Sequence, residues 1–356
     1  MIEEISGDLL KADADALVNT VNTVGVMGKG IALQFKQAFP ANYEAYRRAC
    51  QRGEVELGRM FVFPTGQLRP RFIINFPTKQ HWRSRSRLAD IEVGLADLVR
   101  VIRERGIASL AVPPLGVGNG GLPWVQVRPL IHEALGHLPE VNVLLYAPSG
   151  APAPEEMQVA TKRPTMTPSR ATLVGILDRY IEPGFGVSVL EIQKLVYFLQ
   201  AAGEPLRLDF APARYGPYAE SLNHVLQNVE GHYLRGYGDR SRRVAEGPPL
   251  ELLPGAADEA RAFLGDHPGT RDRLDRVAGL IEGFDTPYGL ELLATVHWVA
   301  TRLDPAAATD PEVTVKRVQA WSPRKGRLFT EQHIKLAWER LRDHGWLTPE
   351  PRAAVG

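Results

Sequence analysis

Short apolar runs of strand length alternate with longer stretches of helical spacing through the first half of the chain. Met1 to Ile5, Ala16 to Val21, Arg59 to Phe63, Phe72 to Phe76, Ile107 to Val112 and Val141 to Tyr146 predict strands. The run at 16–21 is almost unbroken, the pattern of a strand buried on both faces in a parallel sheet. Ile31 to Phe39, Tyr43 to Arg52, Leu88 to Arg105 and Trp124 to Leu138 predict helices, with Pro40 marking a break between the first two. In the third, Leu88, Ile91, Leu95, Leu98 and Ile102 make one core-facing stripe. Such alternation predicts an α/β fold: a mixed, largely parallel sheet with helices on both faces, any ligand lying beyond the carboxyl ends of the strands.

The pattern changes near residue 150. Ala-Pro-Ser-Gly-Ala-Pro-Ala-Pro and Lys162-Arg-Pro-Thr-Met-Thr-Pro168 have a linker's composition. Helical stripes follow at Leu173 to Ile181, Val189 to Leu199, Tyr218 to Val229, Asp258 to Leu264, Arg271 to Ile281, Tyr288 to Ala300 and Thr330 to Leu341. The expected organisation is an α/β domain over 1–150, a linker over 151–169 and a mainly α-helical domain over 170–356. Gly247 to Ala257 and Asp304 to Pro311 read as loops.

Two glycine-bearing segments stand where strands end and helices begin: Gly25-Val-Met-Gly-Lys-Gly-Ile-Ala32 and Pro113-Pro-Leu-Gly-Val-Gly-Asn-Gly-Gly-Leu122. Glycines there let backbone N–H groups approach a phosphate, and the following helix adds positive potential. Neither segment is a Walker loop or a dinucleotide fingerprint, so the pair predicts a cradle for a different diphosphate.

Composition narrows the picture. A formal charge of +1 on 356 residues gives no bulk attraction to nucleic acid or membranes. The single cysteine, Cys50, excludes intramolecular disulfides and thiolate zinc sites and reads as an inert thiol. An acidic N-terminus and the lack of a membrane-length apolar run lead to the expectation of a soluble, cytoplasmic protein.

Polar candidates cluster near the strand ends. Asp8, in Ser6-Gly-Asp-Leu9, suits a turn cap and could also accept from a purine amino group. Lys79 follows the strand at 72–76 and could reach over the same edge as both loops. A lysine whose pKa falls on burial can act as nucleophile or base, while the plain alternative is a solvated surface lysine. His81 and Trp82 could line the site. Arg83-Ser-Arg-Ser-Arg87 suits either a phosphate backbone or a solvated helix entrance.

Gly7-Asp8-Leu9, Leu17-Val-Asn-Thr-Val-Asn22 and the loops at 25–32 and 116–122 together resemble the macrodomain family, an ADP-ribose-binding α/β fold. Met27-Gly-Lys-Gly-Ile-Ala-Leu-Gln-Phe35, Thr78-Lys79, Leu115-Gly-Val-Gly118 and Leu122-Pro-Trp124 resemble its lysine-dependent glycohydrolase branch. With the helical half included, the chain is similar to the DarG family of antitoxins, whose partner is the DNA-modifying toxin DarT.

The resemblance implies that Lys79 is catalytic and that Asp8 and Leu9 meet adenine while Asn22 lies by the distal ribose. It implies that Met27, Gly28, Lys29, Gly30 and Ile31, with Gly116, Val117, Gly118, Asn119, Gly120, Gly121 and Leu122, hold the diphosphate. Where protein-directed relatives place an aspartate in the second loop, this sequence carries Gly120. ADP-ribose and ADP-ribosylated DNA, with thymine in single strands foremost, are the implied ligands, and no cofactor or metal is implied. Glu191-Ile-Gln-Lys-Leu-Val-Tyr-Phe-Leu199 and Arg214-Tyr-Gly-Pro-Tyr-Ala219 resemble a helical antitoxin module, which implies that 170–356 binds DarT. The alternative is an ADP-ribose reader or protein-directed hydrolase whose helical half binds nucleic acid through Arg235 to Arg243 or Lys316 to Arg327.

Overall fold

The computed structural model describes residues 1–181, 185–241 and 247–347. The chain divides into two compact units, Met1–Lys162 together with Gly238–Arg242, and Arg163–Tyr237 together with Arg243–Gly356.

The first unit contains strands β1 (Ile2–Ile5), β2 (Ala16–Asn22), β3 (Phe61–Pro64), β4 (Phe72–Lys79), β5 (Ser109–Val112) and β6 (Asn142–Tyr146), and helices α1 (Ile31–Ala38), α2 (Pro40–Gln51), α3 (Leu88–Arg105) and α4 (Trp124–Gly136). The sheet runs β1-β6-β5-β2-β4-β3. All pairs are parallel except the edge pair β3–β4.

Alternation sorts the sheet's residues between its faces. Val18, Ile74, Leu110 and Val143 pack with Ile91, Leu95 and Leu98 of α3 and Ile131 of α4. Leu17, Ile73 and Ala111 pack on the other side with Phe35 of α1. Gly94 lets α3 sit close, since a Cβ there would lie 2.3 Å from the Phe76 ring. A chain of buried amides crosses the sheet: Asn19 donates to Asn75 at 2.9 Å, and Asn75 donates to Asn42 at 2.7 Å.

Two boundaries differ from the sequence reading for physical reasons. Pro40 marks the break between α1 and α2, but α2 begins on it rather than at Tyr43, because at the first helical position its missing N–H is no loss. Strand β4 continues past Phe76 to Lys79, pairing Asn22 with Lys79 across a register shift. The β3–β4 ladder ends at the Phe61–Asn75 pair, so on that side Pro77 has no ladder to interrupt.

The second unit holds α5 (Pro168–Tyr180), α6 (Val189–Ala201), α7 (Leu222–Val229), α8 (Ala256–Leu264), α9 (Pro268–Ile281), α10 (Pro287–Trp298), α11 (Pro311–Ala320), α12 (Pro323–Leu328) and α13 (Glu331–Asp343) around one apolar core. Helix α6 opens with a capping box between Ser188 and Glu191 and is buried almost all round, including Lys194. Two small antiparallel ladders accompany the helices: Ala211–Ala213 with Gly216–Tyr218, and Leu234–Arg235 with Glu251–Leu252. Tyr218 therefore closes a strand rather than opening a helix. Among the described residues no helix is long and apolar enough to cross a membrane.

Candidate functional site

Five parallel strands end along one edge of the first unit, and a cavity of about 780 Å³ lies beyond them. Asp8 follows β1, Tyr146 to Pro152 end and follow β6, Pro113 to Gly120 follow β5, Asn22 to Ile31 end and follow β2, and Lys79 ends β4. In sheet order Asp8 and Lys79 stand four strand spacings apart, about 19 Å. The cavity is thus built for an elongated ligand with chemically different ends.

Asn22 is buried and organises the first loop: its Oδ1 accepts from Val24 N and Val26 N at 3.1 and 3.2 Å, and its Nδ2 donates to Val26 O at 2.6 Å. Met27 is buried beneath that loop with Val21 and Tyr46. Gly30 takes a φ of 61° at the entrance to α1 and supplies no side-chain cap. The first turn of α1, whose Ile31 and Ala32 line the cavity, is therefore left without a side-chain acceptor. Gly30 N–H itself donates to Asp239 O at 2.8 Å, and Gln34 Nε2 donates to Asp239 Oδ2 at 2.7 Å. Asp239 Oδ1 accepts from Ser241 N and Oγ at 2.9 and 2.6 Å. Asp239 and Ser241 thus form part of this unit's cavity wall although they lie far along the chain.

The second loop folds on itself, with Gly121 N donating to Val117 O and Leu122 N to Gly116 O at 2.9 and 3.0 Å. Its tightest point is Gly120. A Cβ there would lie 2.2 Å from Gly116 O and 2.4 Å from Ser86 Oγ. The loop as folded excludes any side chain at 120, so the absence of an aspartate is a property of the backbone path and not only of the sequence.

Lys79 Nζ donates to Asn119 O at 2.8 Å, across the space between the two loops. The side chain is half-buried, and burial pulls its pKa below the ordinary lysine value. No carboxylate lies within ion-pairing distance of it among the described residues. Asp8 accepts from Leu10 N at 3.0 Å, capping the short 3-10 helix Leu9–Lys11, and lines the far end of the cavity.

Asp8, Leu9, Asn22, Gly28, Lys29, Gly30, Ile31, Lys79 and Gly116 to Gly120 line one cavity. Met27, Gly121 and Leu122 do not line it; they shape the loops from behind. Sequence reasoning missed Gln34, the segment after β6, Asp239 and Ser241. A composition shift marked the segment after β6, whereas nothing local marks Asp239, which sits in a stretch read as a basic run.

A family model for the Macro domain matches residues 18–131. A curated Thermus aquaticus protein named DNA ADP-ribosyl glycohydrolase is 50% identical over 351 residues, covering 98% of this chain and 95% of its own length. The chain belongs to the DNA ADP-ribosyl glycohydrolase family. Another protein matched by this glycohydrolase family member is a Thermosipho africanus DNA ADP-ribosyl transferase-DNA ADP-ribosyl glycohydrolase fusion protein, 37% identical over 160 residues, or 40% of this chain and 41% of that protein. Among solved structures, the macrodomain of Mycobacterium tuberculosis DarG is 63% identical, with a TM-score of 0.42, covering 42% of this chain and 99% of its own.

Proposed function

We propose that this glycohydrolase family member is a cytoplasmic antitoxin that removes ADP-ribose from DNA bases, foremost thymine in single strands, and whose residues 170–356 bind and silence DarT. The observation that carries the enzymatic part is Lys79: a half-buried amine at one end of an elongated cavity, held at 2.8 Å by the carbonyl of a diphosphate-type loop. Asp8 at the far end suits the adenine amino group. The uncapped first turn of α1 and the Gly116 to Gly120 backbone suit the diphosphate.

With those ends anchored, the anomeric carbon of the distal ribose falls toward Lys79. Neutral Nζ adds to that carbon as the bond to the base nitrogen breaks with its electron pair, and the base takes up the proton that the new ammonium loses. The ring C–O bond of this glycosylamine then opens to an imine, its oxygen taking a proton; water adds to the imine carbon, the amine leaves, and the ring closes to release ADP-ribose. The net change is one water consumed and one C–N bond exchanged for C–O. Excluding a side chain at Gly120 leaves the lysine to act without a loop carboxylate.

The test is a single-stranded oligonucleotide carrying ADP-ribose on thymine. Lys79→Ala should abolish release while ADP-ribose binding persists; undiminished release would sink the assignment. ADP-ribosylated protein serves as the competing substrate.

Toxin binding is supported by the resemblance of Glu191 to Leu199 and Arg214 to Ala219 to an antitoxin module, and by the relative that joins a transferase and a glycohydrolase in one chain. Full-length Lys79→Ala should still form a stable complex with DarT in gel filtration. Binding to single-stranded DNA through the helical region, with no toxin complex, would reverse this part.

A further inference from the structure

The segment 80–87 forms the rim of the cavity next to Lys79, and it is clasped at both ends. Thr23 N and Oγ1 both donate to Gln80 O at 3.0 Å, tying its start to the first loop. Ser86 N donates to Gly120 O at 3.0 Å, tying its end to the second. Between these ties a turn, closed by Ser84 N donating to His81 O at 2.9 Å, lifts Trp82 and Arg83 to the cavity mouth.

Trp82 is 44% exposed, whereas tryptophan is highly buried on average. Its ring lies 5.2 Å from the His81 ring, and the Arg83 guanidinium sits 4.4 Å from its centroid. Three flat side chains are therefore grouped at the surface, Arg83 over the indole and the imidazole tilted 32° to it. Two of the three arginines of this segment have no carboxylate partner among the described residues. Arg87 is committed to Asp90 in a two-bond pair that belongs to the entrance of α3. Arg83 and Arg85 are exposed and have no carboxylate partner among the described residues.

We infer that this rim is the strand-holding surface of the site: the exposed aromatic pair His81–Trp82 supports a nucleobase next to the modified one, and Arg83 with Arg85 contacts the flanking phosphates. The inference rests on the reading of the cavity as a DNA-directed glycohydrolase site. Its physical basis is geometric. Whatever is attached to the anomeric carbon must leave past the rim nearest Lys79, and that rim presents an aromatic platform with two guanidinium groups that have no carboxylate partner among the described residues. Base–aromatic stacking plus backbone cations is how single strands are held without sequence readout. An acidic protein side chain could meet the cations, but it has no use for the aromatic pair.

The experiment compares full-length wild type, Trp82→Ala, Arg83→Ala/Arg85→Ala and Arg83→Lys/Arg85→Lys on two substrates. One is a single-stranded oligonucleotide with one ADP-ribosylated base in its middle, and the other is the ADP-ribosylated mononucleoside. Trp82→Ala and the double alanine variant should each raise KM for the oligonucleotide about tenfold, and should lower its advantage over the mononucleoside by a similar factor. The double alanine variant should also reduce the slope of log KM against log salt by about 1.4, the value for two phosphates of a single strand. The double lysine variant should restore that slope. Equal losses on both substrates, or no loss on the oligonucleotide, would overturn the inference. If wild type releases nothing from DNA, the functional reading itself fails. The rim is then judged by fluorescence anisotropy of an unmodified oligonucleotide, where weaker binding by the double alanine variant supports it and unchanged binding overturns it.

Discussion

The Gln34 side-chain amide donates to the Asp239 carboxylate at 2.7 Å, joining residues 205 positions apart in the chain. Asp239 also takes the Gly30 N–H on its backbone carbonyl, so one residue fixes both the first glycine loop and the helix it opens.

Removing that carboxylate should loosen the loop. Asp239→Ala leaves a buried amide unsatisfied, which costs about 1–3 kcal/mol, and should weaken ADP-ribose binding about tenfold. Calorimetric titration and thermal unfolding of the same sample check this. Asp239→Asn, which keeps the shape and the carbonyl acceptor, should recover part of the affinity. Wild-type values for both measurements in the alanine variant would remove Asp239 from the site.

The pH profile distinguishes the roles open to Lys79. Burial lowers its pKa, so at any pH below the ordinary lysine value more of it is neutral than on a surface. A nucleophilic amine then gives a kcat that rises with pH and levels off below 10.5. A profile flat from neutral pH upward, or one falling as the amine deprotonates, would assign Lys79 to a cationic role instead.

Gly120→Ala tests the steric reading of the second loop. Its Cβ would fall within 2.4 Å of both Gly116 O and Ser86 Oγ, so the loop must move. The variant should lose about 1–3 kcal/mol of stability, as overpacked sites do, and bind ADP-ribose more weakly. Gly120→Asp should do worse rather than recreate a lysine–aspartate pair. Gained turnover in that variant would show that the loop accommodates an acid after all.

The helical unit should be less stable in acid. His297 is fully enclosed beside Tyr197, whose hydroxyl lies 2.7 Å from its Nδ1, and burial holds its pKa down at about 3 against an ordinary 6.5. Between those values the unfolded chain binds a proton that the folded one refuses, so stability falls as pH drops, by up to ~1.4 kcal/mol per pH unit. Burial next to Lys325 lowers Lys194 likewise, to about 7 from 10.5, and stability should climb again across that interval. Urea unfolding followed at pH 4, 6, 7.5 and 9.5 reads both windows, and a pH-independent midpoint contradicts both.

What the sequence disclosed depended on how local the signal was. The glycine loops, Lys79 and the strand–helix alternation are each written within a few residues, so pattern alone placed them along one edge. Helices α11 and α12 lack a marked apolar stripe, although Asp310-Pro311 and Ser322-Pro323 are cap-plus-proline starts. The basic run at Lys316 to Arg327 lost its appeal as a nucleic-acid patch only in three dimensions. There Arg317 pairs with Asp304, and Arg324 and Lys325 pair with Glu291. In the run at Arg235 to Arg243, Arg242 and Arg243 lie outside the described residues. Asp239 had no local signature because its meaning is a contact with Gln34.

That contact also bears on how the chain can be divided. A fragment ending at Lys162 carries all six strands of the sheet and Lys79, yet lacks 238–241. No single cut separates the two units, and a recombination event between them would hand one daughter a pocket missing part of its wall. A chain cut at Lys162 therefore keeps the glycine loops and loses Asp239 and Ser241 from the lining of their cavity.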